Sequence, residues 1–251
     1  MIGVIIQARL GSTRLPKKMV LPFYNEKGVF EIILERLKNS LGDIPIVVAT
    51  TTNPIDDELE LICEKNQVRC FRGSETNVLQ RFINASQEYR FSKIIRICAD
   101  NPFLDVKGLL QLYKRFENED LDYCSFQTSD GTPSILTHYG FWGEGVSLRA
   151  LKKVSCLTKE KVFLEHVTNF IYSNPKLFKI DFIPIPSEID SFKNIRMTLD
   201  TKEDFILLKE IYVEYHKGEF MDTTNLLYNV STNEDWMKRM YKQIKLNEKS
   251  K

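Results

Sequence analysis

The stretch MIGVIIQARLGSTRLPKK, residues 1–18, decides the fold. It begins with an apolar run of strand length, Ile2–Ile6, and continues into a loop with four cations before the first acidic residue, Glu26. A buried strand followed at once by a polar loop is typical of α/β proteins, in which ligands bind at the carboxyl ends of the strands. The stretch therefore predicts the first strand of an α/β sheet with a binding loop behind it.

The loop after this strand has the composition of an anion site. Its cations are Arg9, Arg14, Lys17 and Lys18. Like charges this close repel one another unless an anion lies among them, and a phosphorylated ligand is the simplest such anion. Gly11, Ser12 and Thr13 are small enough for backbone N–H groups to approach phosphate oxygens. The loop matches neither the Walker A nor the Gly-x-Gly-x-x-Gly pattern, and a solvated basic turn is the alternative.

The rest of the chain alternates apolar runs with amphipathic stretches, which favours a single domain around a mostly parallel sheet. The predicted strands are Ile2–Ile6, Pro45–Ala49, Val68–Phe71, Lys93–Cys98, Tyr123–Phe126, Lys179–Ile183 and Ile195–Leu199. Helices are predicted around Phe30–Leu37 and Leu59–Cys63, and at Val78–Tyr89, Val106–Phe116, Lys161–Tyr172, Lys202–Tyr215 and Asp235–Leu246.

Two regions depart from this alternation. Residues 127–147 contain four glycines among aromatic residues and are interpreted as an insertion that lines a site. Residues 216–251 are predicted to form a helical extension that packs outside the sheet or against a partner subunit, after a catalytic domain at 1–215.

Composition excludes several classes of protein. The net charge is only +1, which gives no long-range attraction to nucleic acid or to an anionic membrane. No apolar run approaches the roughly 20 residues that cross a bilayer, and the N-terminus has no basic leader. The five cysteines are scattered without a Cys-x-x-Cys pair, which is typical of free thiols in a reducing compartment. A cytoplasmic protein that binds neither nucleic acid nor membranes is expected.

The basic loop carries a family resemblance. The pattern Gln7-Ala8-Arg9-x-x-Ser12-x-Arg14-Leu15-Pro16-x-Lys18 resembles the signature loop of the cytidylyltransferases that make CMP-activated sugars. The nearest likeness is to the SpsF type of spore-coat polysaccharide synthesis protein, with CMP-Kdo and acylneuraminate cytidylyltransferases as more distant relatives. The likeness continues in collinear order through Val48–Thr51, Phe71–Ser74, Val78–Phe82, Arg96–Pro102, Glu165–Thr168 and Arg196–Phe205. It implies a three-layer α/β/α fold, Rossmann-like and similar to the nucleotide-diphospho-sugar transferases.

Two aspartates are candidates for a metal site. Asp100 and Asp200 each follow a predicted strand, so both are expected at the ligand-binding edge of the sheet. Mg²⁺ that accompanies a nucleoside triphosphate takes only one or two protein carboxylates, and the resemblance implies the same pair as Mg²⁺ ligands. The alternative is that Asp200 caps the helix that begins near Lys202. Asp120-Leu121-Asp122 forms an Asp-x-Asp, but it precedes a strand and is interpreted as a solvated turn.

The resemblance also implies roles for individual residues. The catalytic candidates are Arg9, Lys18, Asp100 and Asp200. The nucleotide-binding candidates are Ala8, Arg9, Gly11, Ser12, Arg14, Lys18, Arg72, Ser74 and Arg81, and the acceptor candidates are Trp142, Glu144, Glu165, His166 and Arg196. Trp142 is equally compatible with simple packing, and His166 with a partly buried histidine.

These observations predict a Mg²⁺-dependent enzyme that transfers CMP from CTP to a sugar, sugar acid or phosphorylated small molecule and releases pyrophosphate, for surface polysaccharide biosynthesis. Three alternatives remain open: a glycosyltransferase, a nucleotidyltransferase for another base, and a non-catalytic nucleotide-binding module. A homodimer is the default expectation for the assembly.

Overall fold

A seven-stranded sheet forms the centre of the molecule. The computed structural model describes residues 1–217 and 222–247. The strands are β1 (Ile2–Gln7), β2 (Ile46–Thr51), β3 (Arg69–Gly73), β4 (Lys93–Cys98), β5 (Tyr123–Gln127), β6 (Glu144–Ser147) and β7 (Ile180–Pro184). Their order is β3-β2-β1-β4-β6-β5-β7, and every neighbouring pair is parallel except the two pairs formed by β6. The predicted mostly parallel α/β fold is confirmed.

Helices cover both faces of the sheet. They are α1 (Val29–Leu41), α2 (Asp57–Lys65), α3 (Val78–Glu88), α4 (Val106–Asn118), α5 (Leu148–Leu157), α6 (Lys161–Glu165), α7 (Asn169–Ser173), α8 (Ser187–Asp190), α9 (Lys202–Lys217), α10 (Thr223–Thr232) and α11 (Glu234–Leu246). The apolar side chains of α1, α4 and α9 belong to one buried cluster, whereas those of α3 and α5 belong to another. Two cores separated by the sheet make a three-layer α/β/α domain.

Strand β1 is central because both of its faces are buried. Val4 and Ile6 pack into one core and Ile5 into the other, as the two-residue period of a strand requires. Gly3 lies beneath the ring of Phe91, where an added Cβ would come within 2.4 Å of the ring carbons. The strand pairs with β2 and β4 through Gln7, so the basic loop leaves from the middle of the carboxyl edge of the sheet.

The predicted insertion at 127–147 is partly wrong. Its last four residues form β6, which lies between β4 and β5 and runs antiparallel to both. Two of the four glycines that suggested an irregular loop, Gly143 and Gly145, are sites of close approach. A Cβ on Gly145 would come within 2.7 Å of the Phe116 ring, and one on Gly143 within 2.7 Å of the Arg96 carbonyl.

Two other elements also differ from their predictions. Residues 195–199 are mostly buried but form no strand of the sheet. The backbone N–H groups of Met197 and Leu199 donate to His138 O and Asp100 O, outside any sheet ladder. The helix predicted at Lys161–Tyr172 is two five-residue helices, α6 and α7.

The C-terminal part of the chain adds three helices to the α1–α4 face. The domain boundary predicted at residue 215 falls inside α9 and stays a prediction. Within the described residues, no helix is both long enough and apolar enough to span a membrane. The helical extension predicted at 216–251 lies partly outside the described residues.

Candidate active site

The basic loop is folded back on itself and held by a buried carboxylate. Leu10 N donates to Asp56 Oδ1 at 2.7 Å, and Thr51 Oγ1 donates to Asp56 Oδ2. Asp56 is only 1% exposed. The backbone of Lys17 adopts a φ of 56° and donates to Leu10 O at 3.1 Å, which closes the loop. The sequence analysis missed this anchoring role of Asp56.

Lys18 joins the loop to both predicted metal-binding aspartates. Its Nζ donates to Asp100 Oδ2 at 2.7 Å and to Leu199 O at 2.6 Å, and it lies 3.6 Å from Asp200 Oδ1. Burial alone would lower the pKa of Lys18, but the charges of Asp100 and Asp200 outweigh burial and raise it. The ammonium therefore stays charged between two carboxylates that the sequence separates by a hundred positions.

Asp200 is also held by two arginines. Arg14 Nη2 donates to its Oδ1 at 2.8 Å, and Arg196 Nη2 donates to its Oδ2 at 3.1 Å. Burial would raise the pKa of Asp200, but Lys18, Arg14 and Arg196 together lower it. We call Arg14, Lys18, Asp100, Arg196, Asp200 and Asp204 the Asp200 cluster.

Arg196 lies behind Asp200, with a side chain only 1% exposed. It forms a two-pronged pair with Asp204, with Nε to Oδ1 and Nη2 to Oδ2 both at 2.8 Å, and Arg196 Nη1 lies 2.8 Å from His138 Nδ1. This placement does not favour the predicted acceptor contact of Arg196 and makes it a support for Asp200. Asp204 was missed, although its spacing of four residues from Asp200 is a usable signal.

Thr201 and Asp204, and not Asp200, cap the start of α9. Asp204 N donates to Thr201 Oγ1 at 3.1 Å, and Thr201 N donates to Asp204 Oδ2 at 2.9 Å. This reciprocal pair is a capping box at the start of α9. The carboxylate of Asp200 is therefore left to the cluster.

The first part of the loop faces the acceptor candidates Glu165 and His166. Ala8 N extends the sheet by donating to Ala49 O, and Arg9 Nη2 donates to Glu165 Oε1 at 3.1 Å. Both side chains of that ion pair are about half exposed, at 40% and 50%. His166 caps the end of α6 next to Glu165. The structure thus pairs Arg9 with Glu165, and the role of Glu165 and His166 in an acceptor site stays a prediction.

The nucleotide candidates beyond the loop divide into two kinds. The three guanidinium nitrogens of Arg72 donate hydrogen bonds to Thr51 O, Asn53 O and the Glu60 carboxylate. Arg72 therefore links the end of β2 to α2. Arg81 is 0% exposed and donates from Nη1 to Ser74 O, while its Nε and Nη2 have no partner among the described residues. Burial, together with the nearby charge of Arg9, lowers the pKa of Arg81 to about 10.

Gly11 and Ser12 lie at the turn of the basic loop. Ser12 N donates to Leu10 O at 2.8 Å, and the Cβ direction of Gly11 meets only Glu75, at 3.6 Å. Gly11 is exposed, so a ligand can approach the backbone there.

Glu144 and Trp142 are buried, at 1% and 7% exposure. Glu144 Oε1 accepts from Tyr123 Oη and Thr168 Oγ1, and its Oε2 accepts from Arg96, whose Nε and Nη2 donate to Gln7 Oε1. Trp142 stacks on Phe126 and donates from Nε1 to Asp105. These placements do not favour the predicted acceptor contacts. We call Gln7, Arg96, Tyr123, Glu144 and Thr168 the Glu144 network.

The Asp-x-Asp sequence is at a different place and has different partners. Asp120 pairs with Arg149 and Lys179, and Asp122 pairs with Arg149 and accepts from Lys179 N. Both aspartates precede β5, so they lie at the edge of the sheet away from its carboxyl end. Their partners agree with the interpretation of this segment as a structural turn.

The donor set at the carboxyl edge fits a magnesium ion that arrives with a nucleotide. No group of three or more His, Cys, Asp or Glu side chains forms a metal site within residues 1–217 and 222–247. Asp100 and Asp200 nevertheless converge on one ammonium group. Mg²⁺ prefers oxygen ligands and completes its shell with waters and phosphate oxygens, so two carboxylates are sufficient.

Fold and site together define a class of protein, the α/β nucleotidyltransferases. The sheet has a cationic loop and paired aspartates at its carboxyl edge. A CMP:2-keto-3-deoxy-manno-octonic acid synthetase, solved in complex with CTP, shares the fold with a TM-score of 0.61 at 13% identity, over 85% of this chain and 98% of that one.

The chain belongs to the cytidylyltransferase family, whose model matches residues 3–242. It is 33% identical to the spore coat polysaccharide biosynthesis protein SpsF of Bacillus subtilis over 237 residues, which cover 92% of this chain and 94% of that protein. The solved cytidylyltransferase of Leptospira borgpetersenii is 31% identical with a TM-score of 0.81, over 94% and 96% of the two chains. The predicted family resemblance is confirmed.

Proposed function

We propose that this protein transfers CMP from CTP to a sugar, a sugar acid or a phosphorylated small molecule, with release of pyrophosphate, in the biosynthesis of a surface polysaccharide. The observation that carries the proposal is the convergence of Arg14 and Lys18 with Asp100 and Asp200 at the carboxyl edge of the sheet. Membership of the cytidylyltransferase family and the similarity to the spore coat polysaccharide biosynthesis protein SpsF support the choice of reaction and pathway. The proposed location is the cytoplasm, where free cysteines stay reduced.

The basic loop binds the triphosphate tail in this proposal. Arg9, Arg14 and Lys18 carry the charges, and the backbone at Gly11 and Ser12 approaches the phosphate oxygens. Negative charge grows on the pyrophosphate as it leaves, so fixed cations at this position stabilise the transition state more than the ground state. Asp56 holds the loop in place through Leu10 N before the nucleotide arrives.

Asp100 and Asp200 are the residues that would hold Mg²⁺. When bound, Mg²⁺ supplies a Lewis acid that polarises the α-phosphate of the nucleotide. Arg196 and Asp204 keep Asp200 oriented toward Asp100 through buried charge-assisted hydrogen bonds.

Arg81 is proposed to recognise the base. Its Nε and Nη2 form two adjacent donors without partners among the described residues. Cytosine offers two adjacent acceptors, O2 and N3, to such a fork, whereas uracil carries a proton on N3 and would oppose it. Both nitrogen atoms are sealed from solvent, so the base reaches them only after neighbouring side chains move.

The acceptor is proposed to bind near Glu165 and His166, across from Arg9. A phosphate acceptor needs no proton removal. For a hydroxyl acceptor, the imidazole of His166 is the group of this chain that could take the proton. The paired and distant Asp-x-Asp disfavours a glycosyltransferase that binds its metal there.

Pyrophosphate release tests the proposal. The protein is incubated with Mg²⁺, each of the four ribonucleoside triphosphates, and panels of sugar acids, sugar phosphates and polyol phosphates. We expect release from CTP with at least one acceptor and a folded but inactive Asp100→Asn variant. Asp120→Asn is the matched control, because Asp120 is an exposed acid away from the site, and it should retain wild-type turnover. Normal turnover by Asp100→Asn, or sugar transfer from a nucleotide sugar without any consumption of CTP, contradicts the proposal.

A further inference from the structure

The last helix of the described chain, α11, packs beside the Asp200 cluster. Met240 is fully buried, and its Sδ lies 3.4 Å from the backbone N of Arg196. One turn later, Gln243 Oε1 accepts from Thr201 Oγ1 at 3.4 Å. These contacts bring the end of α11 to the segment that carries Asp200.

Asn247, which caps α11, reaches the basic loop directly. Its Nδ2 donates to Gln243 O at 2.7 Å, and its Oδ1 accepts from Arg14 Nη1 at 3.0 Å. Arg14 Nη2 donates to Asp200 at 2.8 Å. The two terminal nitrogens of Arg14 are therefore held from two sides. Its Nε makes no hydrogen bond within residues 1–217 and 222–247.

We propose that α11 is part of the triphosphate site and that Asn247 is a positioning residue for Arg14. The inference rests on the proposed function. Arg14 is 53% exposed, and a long exposed side chain loses rotamer entropy when a ligand immobilises it. Asn247 restrains the guanidinium before the nucleotide arrives, so less of that entropy is lost on binding.

Calorimetric titration tests this inference. CTP and CMP are titrated with Mg²⁺ and without acceptor into the wild type, Asn247→Ala, Arg14→Ala and the double variant. We expect Asn247→Ala to weaken CTP binding by about three- to tenfold, the usual effect of one lost hydrogen bond. CMP binding should change less than about twofold, because CMP lacks the phosphates that Arg14 contacts. In the Arg14→Ala background, Asn247→Ala should have no further effect, since its partner is gone.

Asn66→Ala is the matched control. Asn66 caps α2 with the same bond, from Nδ2 to the carbonyl four residues earlier at 2.9 Å, and Arg14 is not among its partners. The Asn66→Ala variant should bind CTP as the wild type does. Thermal unfolding checks that Asn66→Ala and Asn247→Ala are both folded.

The outcomes separate the inference from the proposed function. A folded wild type that binds no CTP contradicts the proposed function, and the inference with it. A wild type that binds CTP while Asn247→Ala binds it equally well contradicts the inference alone. Equal losses for CTP and CMP, or an undiminished loss without Arg14, show a purely structural role for Asn247 and also overturn it.

Discussion

The Glu144 network and the Asp200 cluster both pair arginine with a carboxylate, but they differ in access to solvent. In the first, the side chains of Arg96 and Glu144 are 8% and 2% exposed. In the second, Asp100 and Asp200 remain 32% and 27% exposed, and Arg14 is 53% exposed. Both networks join distant parts of the chain at the carboxyl half of the sheet.

This difference in exposure separates a structural network from a binding site. Arg96 and Glu144 face each other across the antiparallel pair β4 and β6, and Tyr123 and Thr168 complete the bonds of Glu144. When a charge is buried this deeply, removing its partner strongly destabilises the folded protein. The Asp200 cluster keeps accessible oxygens and cations, so it can exchange protein partners for a ligand.

The largest effect is expected from a substitution that disrupts the Glu144 network. Glu144→Ala leaves the Arg96 guanidinium buried without its carboxylate, so we expect the free energy of unfolding in urea to fall by about 3–5 kcal/mol. Asp100→Ala should cost less, about 1 kcal/mol, because Asp100 is itself partly exposed and the buried Lys18 keeps Asp200 and the Leu199 carbonyl as partners. Replacing Arg96 by Met in the Glu144→Ala background should recover most of the loss. Similar losses for Glu144→Ala and Asp100→Ala would erase the distinction between the two networks.

The next effect concerns catalysis in the Asp200 cluster. Lys18→Ala should raise the activation barrier by about 2–4 kcal/mol, because it removes one fixed stabilising charge. Lys17→Ala is the matched control, since Lys17 is adjacent but pairs with exposed Glu58 at 2.8 Å. Its kcat/KM should stay within about threefold of the wild type, as expected for an exposed ion pair. Rates of pyrophosphate release measure both, and a Lys18→Ala variant as active as Lys17→Ala would contradict the role of Lys18.

The sequence predicted those features of the fold that are local. Strand β1 is a continuous apolar run with its cationic loop directly behind it, so both could be recognised together. Strand β6 has only four residues, including Gly145, and its place depends on partners in β4 and β5. The segment at 195–199 has the apolar pattern of a strand, but pattern alone does not show whether a ladder partner exists.

The site was predictable where charge was concentrated and unpredictable where side-chain direction decided the role. The structure brings Lys18 to Asp100 and Asp200 as expected. Arg196 and Glu144 have the right residue types for an acceptor site but turn toward buried partners. Asp56 and Asn247 act through hydrogen bonds to residues 46 and 233 positions away, which no local pattern reveals.

Arg81 is intermediate between the two networks, because it is buried like Arg96 but two of its nitrogens have no hydrogen-bond partner in the part of the chain that the structure describes. A buried cation without a carboxylate costs stability. Arg81→Met should therefore raise the free energy of unfolding by about 1 kcal/mol while weakening CTP binding at least about tenfold, since the lost contacts are charge-assisted. Exposed Arg69→Met, in the neighbouring strand, should change neither quantity. Urea unfolding measures the stability of both variants, and calorimetry measures their CTP affinity. An Arg81→Met variant that is destabilised but binds CTP normally would show that Arg81 has a structural role.

The smallest effect is the pH dependence of the Asp200 cluster. The pKa of Asp200 is lowered in the folded protein, so its stabilising effect is complete above the unfolded value of about 3.9 and is lost as the pH falls through the folded value. The raised pKa of Lys18 acts in the opposite direction, and its contribution is lost only at alkaline pH.

The stability difference between the wild type and Asp200→Asn should therefore be constant from about pH 5 to 9 and shrink below about pH 4. Urea unfolding at a series of pH values measures it, with Asp43→Asn, an exposed acid remote from the cluster, as the control. A difference as large at pH 3 as at pH 7 would mean that Asp200 does not owe its stabilising effect to the surrounding cations. Protonation of Asp200 would then change the stability of the protein no more than protonation of an exposed surface acid does. The ion pairs of the Asp200 cluster would no longer support a binding role for its carboxylates.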